Sequence, residues 1–215
     1  MGASEFQQEI PLPAVPVELA AIAQIWQTQV LLNEEFTIAQ LREHRSTYPY
    51  GIVHLATHAN FAPGSVDDSY IQFWNRSLRL TQLRELGLLR PVVQLLVLSA
   101  CRTALGDANA ELGFAGIAVQ SGAKAALASL WAISDAATVV TMADFYRNLS
   151  HSVIKTEALR QTQLAMLHQQ LHLDSPSIQQ IIRGIDVPDS LGRSISSDLS
   201  HPYYWAGFTM IGNPW

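Results

Sequence analysis

Two short stretches carry the residue types for nucleophilic chemistry. HLATHA, residues 54–59, holds His54 and His58, and VLSACRTALGD, residues 97–107, holds Cys101, the single cysteine in 215 residues. His58 precedes Cys101 by 43 positions. A thiolate is a strong nucleophile, and a nearby imidazole lowers the thiol pKa and later protonates the leaving amine. Small neighbours, Ser99, Ala100, Thr103 and Ala104, leave room for a substrate beside the thiol. The same pair also reads as a buried histidine and a buried thiol, since free cysteine is among the most buried residue types. Residue types alone leave both readings open.

The surrounding pattern predicts the elements that position these residues. GIVHLA (51–56) and VVQLLVLSA (92–100) read as strands, the second nearly all apolar and so buried on both faces of a parallel sheet. KAALASLWAI (124–133) reads as a third buried strand and YYWAGFTMIG (203–212) as a closing one. VLL (30–32) reads as a short strand, and SYIQFW (69–74) with SLRL (77–80) as a small antiparallel excursion. Helices are expected from Leu19, Ile22, Ile25 and Trp26 on one face, after Thr37 as N-cap, over 111–122 with Gly122 as its stop, after Ser134 or Asp135, and over 155–171. The stretch 171–200 reads as loops with one short helix. Strands alternating with helices predict an α/β fold, and ligands in such folds bind beyond the C-terminal ends of the strands. His58 and Cys101 each follow such an end. If the two strands are neighbours, the two side chains face each other.

Composition narrows the functional classes. A 48% hydrophobic content over this length suits one domain. The net charge is −5 and the only lysines are Lys124 and Lys155, so no basic stripe suggests nucleic acid or an anionic membrane. No apolar run reaches membrane-spanning length and no signal peptide is apparent, which makes the cytoplasm the expected location. One cysteine excludes an internal disulfide framework and a cysteine-based zinc site, and the histidines are dispersed, so no metal or organic cofactor is expected. Residues 1–6, MGASEF, read as an expression scar outside the fold.

The segment SACRT shares Ala-Cys-Arg with the caspase signature, whose histidine lies about 50 residues upstream. VHLATHANF, LRLTQLRELGL, LLVLSACRTALGD, GFAGIAVQSGAKAALASLWAISDAATVVTMADFY and HPYYWAGFTMIGNPW together resemble bacterial CHAT domains in order and spacing, from residue 11 to 215. These are caspase- and separase-like cysteine peptidases, commonly joined to tetratricopeptide repeats. The resemblance implies a caspase-hemoglobinase-like three-layer α/β sandwich with a mostly parallel central sheet flanked by helices. It implies a Cys101–His58 dyad, a protein or peptide substrate, and repeats in cis or a partner protein. His54, in phase with His58, reads as structural. The family's oxyanion hole implies the N–H groups of Ala59 and Cys101. Ala59 stands where the family usually has glycine, which matters if the position needs a positive φ. The family's first strand, which lies inside the sheet, has no counterpart in residues 1–10, so that position is expected to be open or filled by another segment.

In SLWAISDAAT, the resemblance to separase-like enzymes implies that Asp135 meets an arginine before the scissile bond, with Trp131 as a pocket wall. The other reading of Asp135 is a helix cap. Asp107 and Glu111 read as caps, Asp67 and Asp68 as a solvated loop, and His151, His168 and His172 as solvated. Three functions follow: a cysteine endopeptidase cleaving after a basic residue, an inactive CHAT-type domain binding a peptide or partner in the same cleft, and a cysteine-dependent hydrolase or transferase acting on a small molecule. The third leaves SLWAISD and the C-terminal strand unexplained.

Overall fold

The computed structural model describes residues 1–6, 9–62, 65–99, 116–193 and 198–215. The central sheet pairs β1 (Ile52–Leu55), β5 (Leu95–Leu98), β6 (Ala125–Ser129) and β7 (Phe208–Gly212) in the order β1-β5-β6-β7. The first three strands are parallel and β7 is antiparallel to β6. β5 is LLVL and β6 is AALAS, every residue buried, because both faces of the sheet are covered.

Side-chain alternation divides the core in two. Leu95, Val97, Ala125, Leu127 and Phe208 face α1 (Ala14–Ile25), α3 (Asp135–Leu149) and α4 (Lys155–Leu167), meeting Ile22, Met142, Phe145 and Leu159. Val53, Leu55, Leu96, Leu98, Ala126 and Ala128 face the other way, onto Phe36, Leu41 of α2 (Ile38–Thr47), and Leu80, Leu83 and Leu86 of a 3₁₀ helix. The result is a mostly parallel sheet between two helical layers, consistent with the caspase-like sandwich expected. Short helices α5 (Pro176–Ile181) and α6 (Asp189–Arg193) lie in the stretch read as loops with one helix.

Local chemistry fixes several boundaries. Thr37 Oγ1 accepts the Gln40 N–H, as expected of an N-cap, and Ser134 rather than Asp135 caps α3, its hydroxyl accepting from Ala137. Residues 116–120 are helical, and Gly122 ends that segment at φ 117°, where a Cβ would come within 2.9 Å of Leu89. The antiparallel excursion has three strands, β2 (Ala59–Ala62), β3 (Ser65–Gln72) and β4 (Ser77–Arg79). β2 was not foreseen, being a four-residue strand with a bulge between Asn60 and Ala62.

The strand position beyond β1 is filled by residues 1–3 of the same chain. Gly2 bridges in parallel to both Ala56 and Leu32. The Gly2 and Ala3 N–H groups donate to Leu31 and Ala56 oxygens, and those of Ala56 and Asn33 donate to Met1 and Gly2 oxygens. Residues 1–3, set aside from the sequence, thus fill the interior position, and residues 31–32 lie outside them. Met1 and Ala3 are buried in the same core as Val53 and Leu55. Small side chains allow this: a Cβ on Gly2 would lie 2.2 Å from the Ala56 carbonyl oxygen.

Candidate active site

β1 and β5 are neighbours, with Leu55 opposite Leu98. His58 follows three residues beyond Leu55, where the chain turns into β2, and is buried. Ser99 directly follows β5 and its N–H donates to the Leu55 carbonyl. Cys101 lies outside the described residues, as do Asp107 and Glu111.

The His58 ring is held from the N-terminal side. Its Nε2 lies 2.7 Å from the Ile10 carbonyl oxygen, and Phe6 packs on the ring at a centroid distance of 4.7 Å. A carbonyl only accepts, so Nε2 carries the proton and a neutral ring keeps its lone pair on Nδ1. The next residue, Ala59, opens β2 opposite Ile71. Because Gln72 N–H donates to His58 O, Ala59 and Ile71 form a non-hydrogen-bonded pair, and the Ala59 N–H turns away from β3. Among described non-glycine residues only Asn33 and Gln169 have positive φ, so alanine at position 59 carries no left-handed strain.

A cavity of about 200 Å³ opens beside His58. Ile10, Leu12, Glu18, His58, Ser99 and Asp135 line it. Asp135 begins α3 with its carboxyl on the cavity, and Ser134 has taken the capping role. Burial pushes the Asp135 carboxyl above the usual carboxylate range, the Glu18 charge adds to this, and His58 opposes it. Trp131 is not among the lining residues. Its indole N–H donates to Tyr203 O and its ring lies over Gly207, while its neighbours Ala132 and Ile133 reach the cavity.

Behind the cavity lies a polar group that sequence reasoning missed. Glu18, the one charged residue of α1, is buried, with its Oε1 3.0 Å from His54 Nε2 though not in hydrogen-bond alignment. His54 Nδ1 is 3.1 Å from the Tyr146 hydroxyl. Burial holds His54 below the usual histidine pKa, only partly offset by Glu18, so the ring is neutral. Tyr146 is pushed well above the usual phenol range by burial and by Glu18, so it keeps its proton and donates to Nδ1. This assigns the Nε2–H of His54 to the side facing Glu18. A carboxylate on an apolar helix stripe was the one sequence signal available. A second, mostly apolar cavity of about 220 Å³ lies on the far side of His54, against Leu19, Ile22, Trp26 and Tyr50, and contains no part of His58.

No group of three histidine, cysteine, aspartate or glutamate residues suited to a metal occurs among the described residues. No described helix is long and apolar enough to cross a membrane. The family model of the CHAT domain matches residues 1–213. Comparison of the sequence with curated proteins gives no match.

Proposed function

The chain belongs to the CHAT domain family, whose members have cysteine-peptidase-like folds, and from that membership we propose that it is a cysteine endopeptidase with Cys101 as nucleophile and His58 as its acid–base partner. His58 Nδ1 takes the thiol proton as the sulfur attacks the scissile carbonyl carbon. The Ala59 and Cys101 N–H groups hold the developing oxyanion. The imidazolium then protonates the leaving amine, giving a thioester that water hydrolyses.

The parallel pairing of β1 with β5 carries this reading. In its register, Leu55 opposite Leu98, His58 and Cys101 are each three residues beyond a paired position. Two further contacts support it. The Ile10 carbonyl accepts from Nε2, which leaves Nδ1 for the thiol and favours the imidazolium once formed. The outward Ala59 N–H supports the oxyanion role. Asp135 on the adjoining cavity supports cleavage after a basic residue, since a partly desolvated carboxylate pairs well with a guanidinium. The substrate is then a protein or peptide.

Incubating the purified chain with a peptide library tests this. Cys101→Ala and His58→Ala are each expected to abolish cleavage without moving the urea midpoint, and the double variant to be no worse than either. Cleavage by Cys101→Ala would overturn the dyad. No cleavage by the unaltered chain would favour a peptide-binding relative without activity.

A further inference from the structure

We propose that Glu18 is a second specificity-determining acid of this site, sharing the cavity beside His58 with Asp135 so that the two carboxylates and the Ser99 hydroxyl receive one arginine side chain. The position of that arginine before the scissile bond rests on the peptidase reading. The cavity's affinity for a guanidinium does not.

Glu18 is 3% exposed, and a buried carboxylate is unfavourable unless a cation or hydrogen bonds answer it. Among the described residues no lysine or arginine forms an ion pair with Glu18 or with Asp135. The imidazole facing Glu18 is neutral, so it supplies a dipole and no compensating charge. Two acids therefore line one cavity together with His58, and the Glu18 charge disfavours ionisation of Asp135. A cationic ligand answers both.

Ser99 points to the same ligand independently. Its Oγ is buried, lines the cavity and has no hydrogen-bond partner among the described residues. Orphaned buried hydroxyls are rare in folded proteins and need a partner. A guanidinium offers five N–H donors in a planar fork, enough for two carboxylates and a hydroxyl, whereas an ammonium offers three from one point and is more strongly hydrated. The volume, about 200 Å³, is below the roughly 300–1,000 Å³ typical of sites for whole small molecules, which suits a single side chain. His54, braced by Tyr146, stands beside Glu18 with its Nε2 3.0 Å from Oε1.

The test uses peptides identical except for arginine, lysine or citrulline before the cut. Citrulline keeps the shape of arginine and removes its charge. For the full chain, kcat/KM with arginine should exceed that with citrulline by about 100-fold, with lysine between them. Glu18→Gln should lower the arginine-to-citrulline ratio about tenfold or more. The ratio cancels any general loss of activity. An unchanged ratio in Glu18→Gln overturns the proposal. If that variant does not fold, Asp135→Asn and the unaltered chain decide: no preference for arginine over citrulline overturns it equally. Calorimetric titration with benzamidine needs no catalysis. Benzamidine binding that Glu18→Gln weakens, in a chain that cleaves nothing, supports this inference while the peptidase reading fails. Cleavage without arginine preference, and without benzamidine binding, does the reverse.

Discussion

His54 sits between a phenol and a carboxylate, and burial disfavours a proton on both its nitrogens. Its neighbours are Tyr146 on α3, Glu18 on α1 and the Met1 amino group, which donates to the His54 carbonyl oxygen. Burial lowers its folded pKa below the ordinary 6.5, so the unfolded chain binds the proton that the folded chain refuses. The His54 contribution to stability is therefore complete above about pH 6.5 and falls as pH drops below it, by up to about 1.4 kcal/mol per pH unit. The Met1 amino group, held at about 5 by burial, adds a loss of the same sign from pH 8 downward. His54→Gln should remove only the first loss. Urea unfolding at pH 7.5 and 5.5 is expected to show a smaller drop for the variant than for the parent, and equal drops would refute the neutral assignment. At this scale the sequence was legible where side chains announce chemistry. His58 and Cys101 stood out by type and place, and Asp135 through the family resemblance. Glu18 and Ser99 did not, because their significance is burial, which arises only when α1, β5 and α3 close on one cavity.

Strand pairing decides the next scale. The long apolar strands were readable, since runs such as LLVL and AALAS suit only a position covered on both faces. The pairing of residues 1–3 was not, because three residues carry no periodicity and their partners, Leu31, Leu32 and Ala56, are distant in sequence. Only the backbone bonds reveal them. Gly2→Ala should therefore act far beyond its size. Its Cβ would meet the Ala56 carbonyl oxygen at 2.2 Å and Val15 Cγ1 at 2.9 Å. A backbone clash of that kind is expected to cost about 2 kcal/mol or more and to bare the edge of β1, inviting self-association. Urea denaturation and gel filtration check both effects. A variant as stable and as monodisperse as its parent would remove residues 1–3 from the sheet.

Across the whole molecule, the layers bring four chain segments to one edge of the sheet. The stretch before α1 supplies Ile10, β1 leads to His58, β5 to Ser99, and the start of α3 to Asp135. The α/β class and the sheet edge were legible from alternation and from where the apolar runs stop, and the family resemblance agreed with the match over 1–213. The covering of His58 by Ile10 and Phe6 was not, since it depends on a segment with no pattern of its own. The central claim is that this edge activates a thiol. With one cysteine in the chain, alkylation by iodoacetamide reports on Cys101 alone. Its rate should be followed against pH in the parent and in His58→Ala. The account predicts one label per chain, fast reaction persisting well below the ordinary thiol pKa of about 8.5, and a return to that midpoint in His58→Ala. Profiles centred near 8.5 in both proteins, or a folded parent that takes no label, would contradict it.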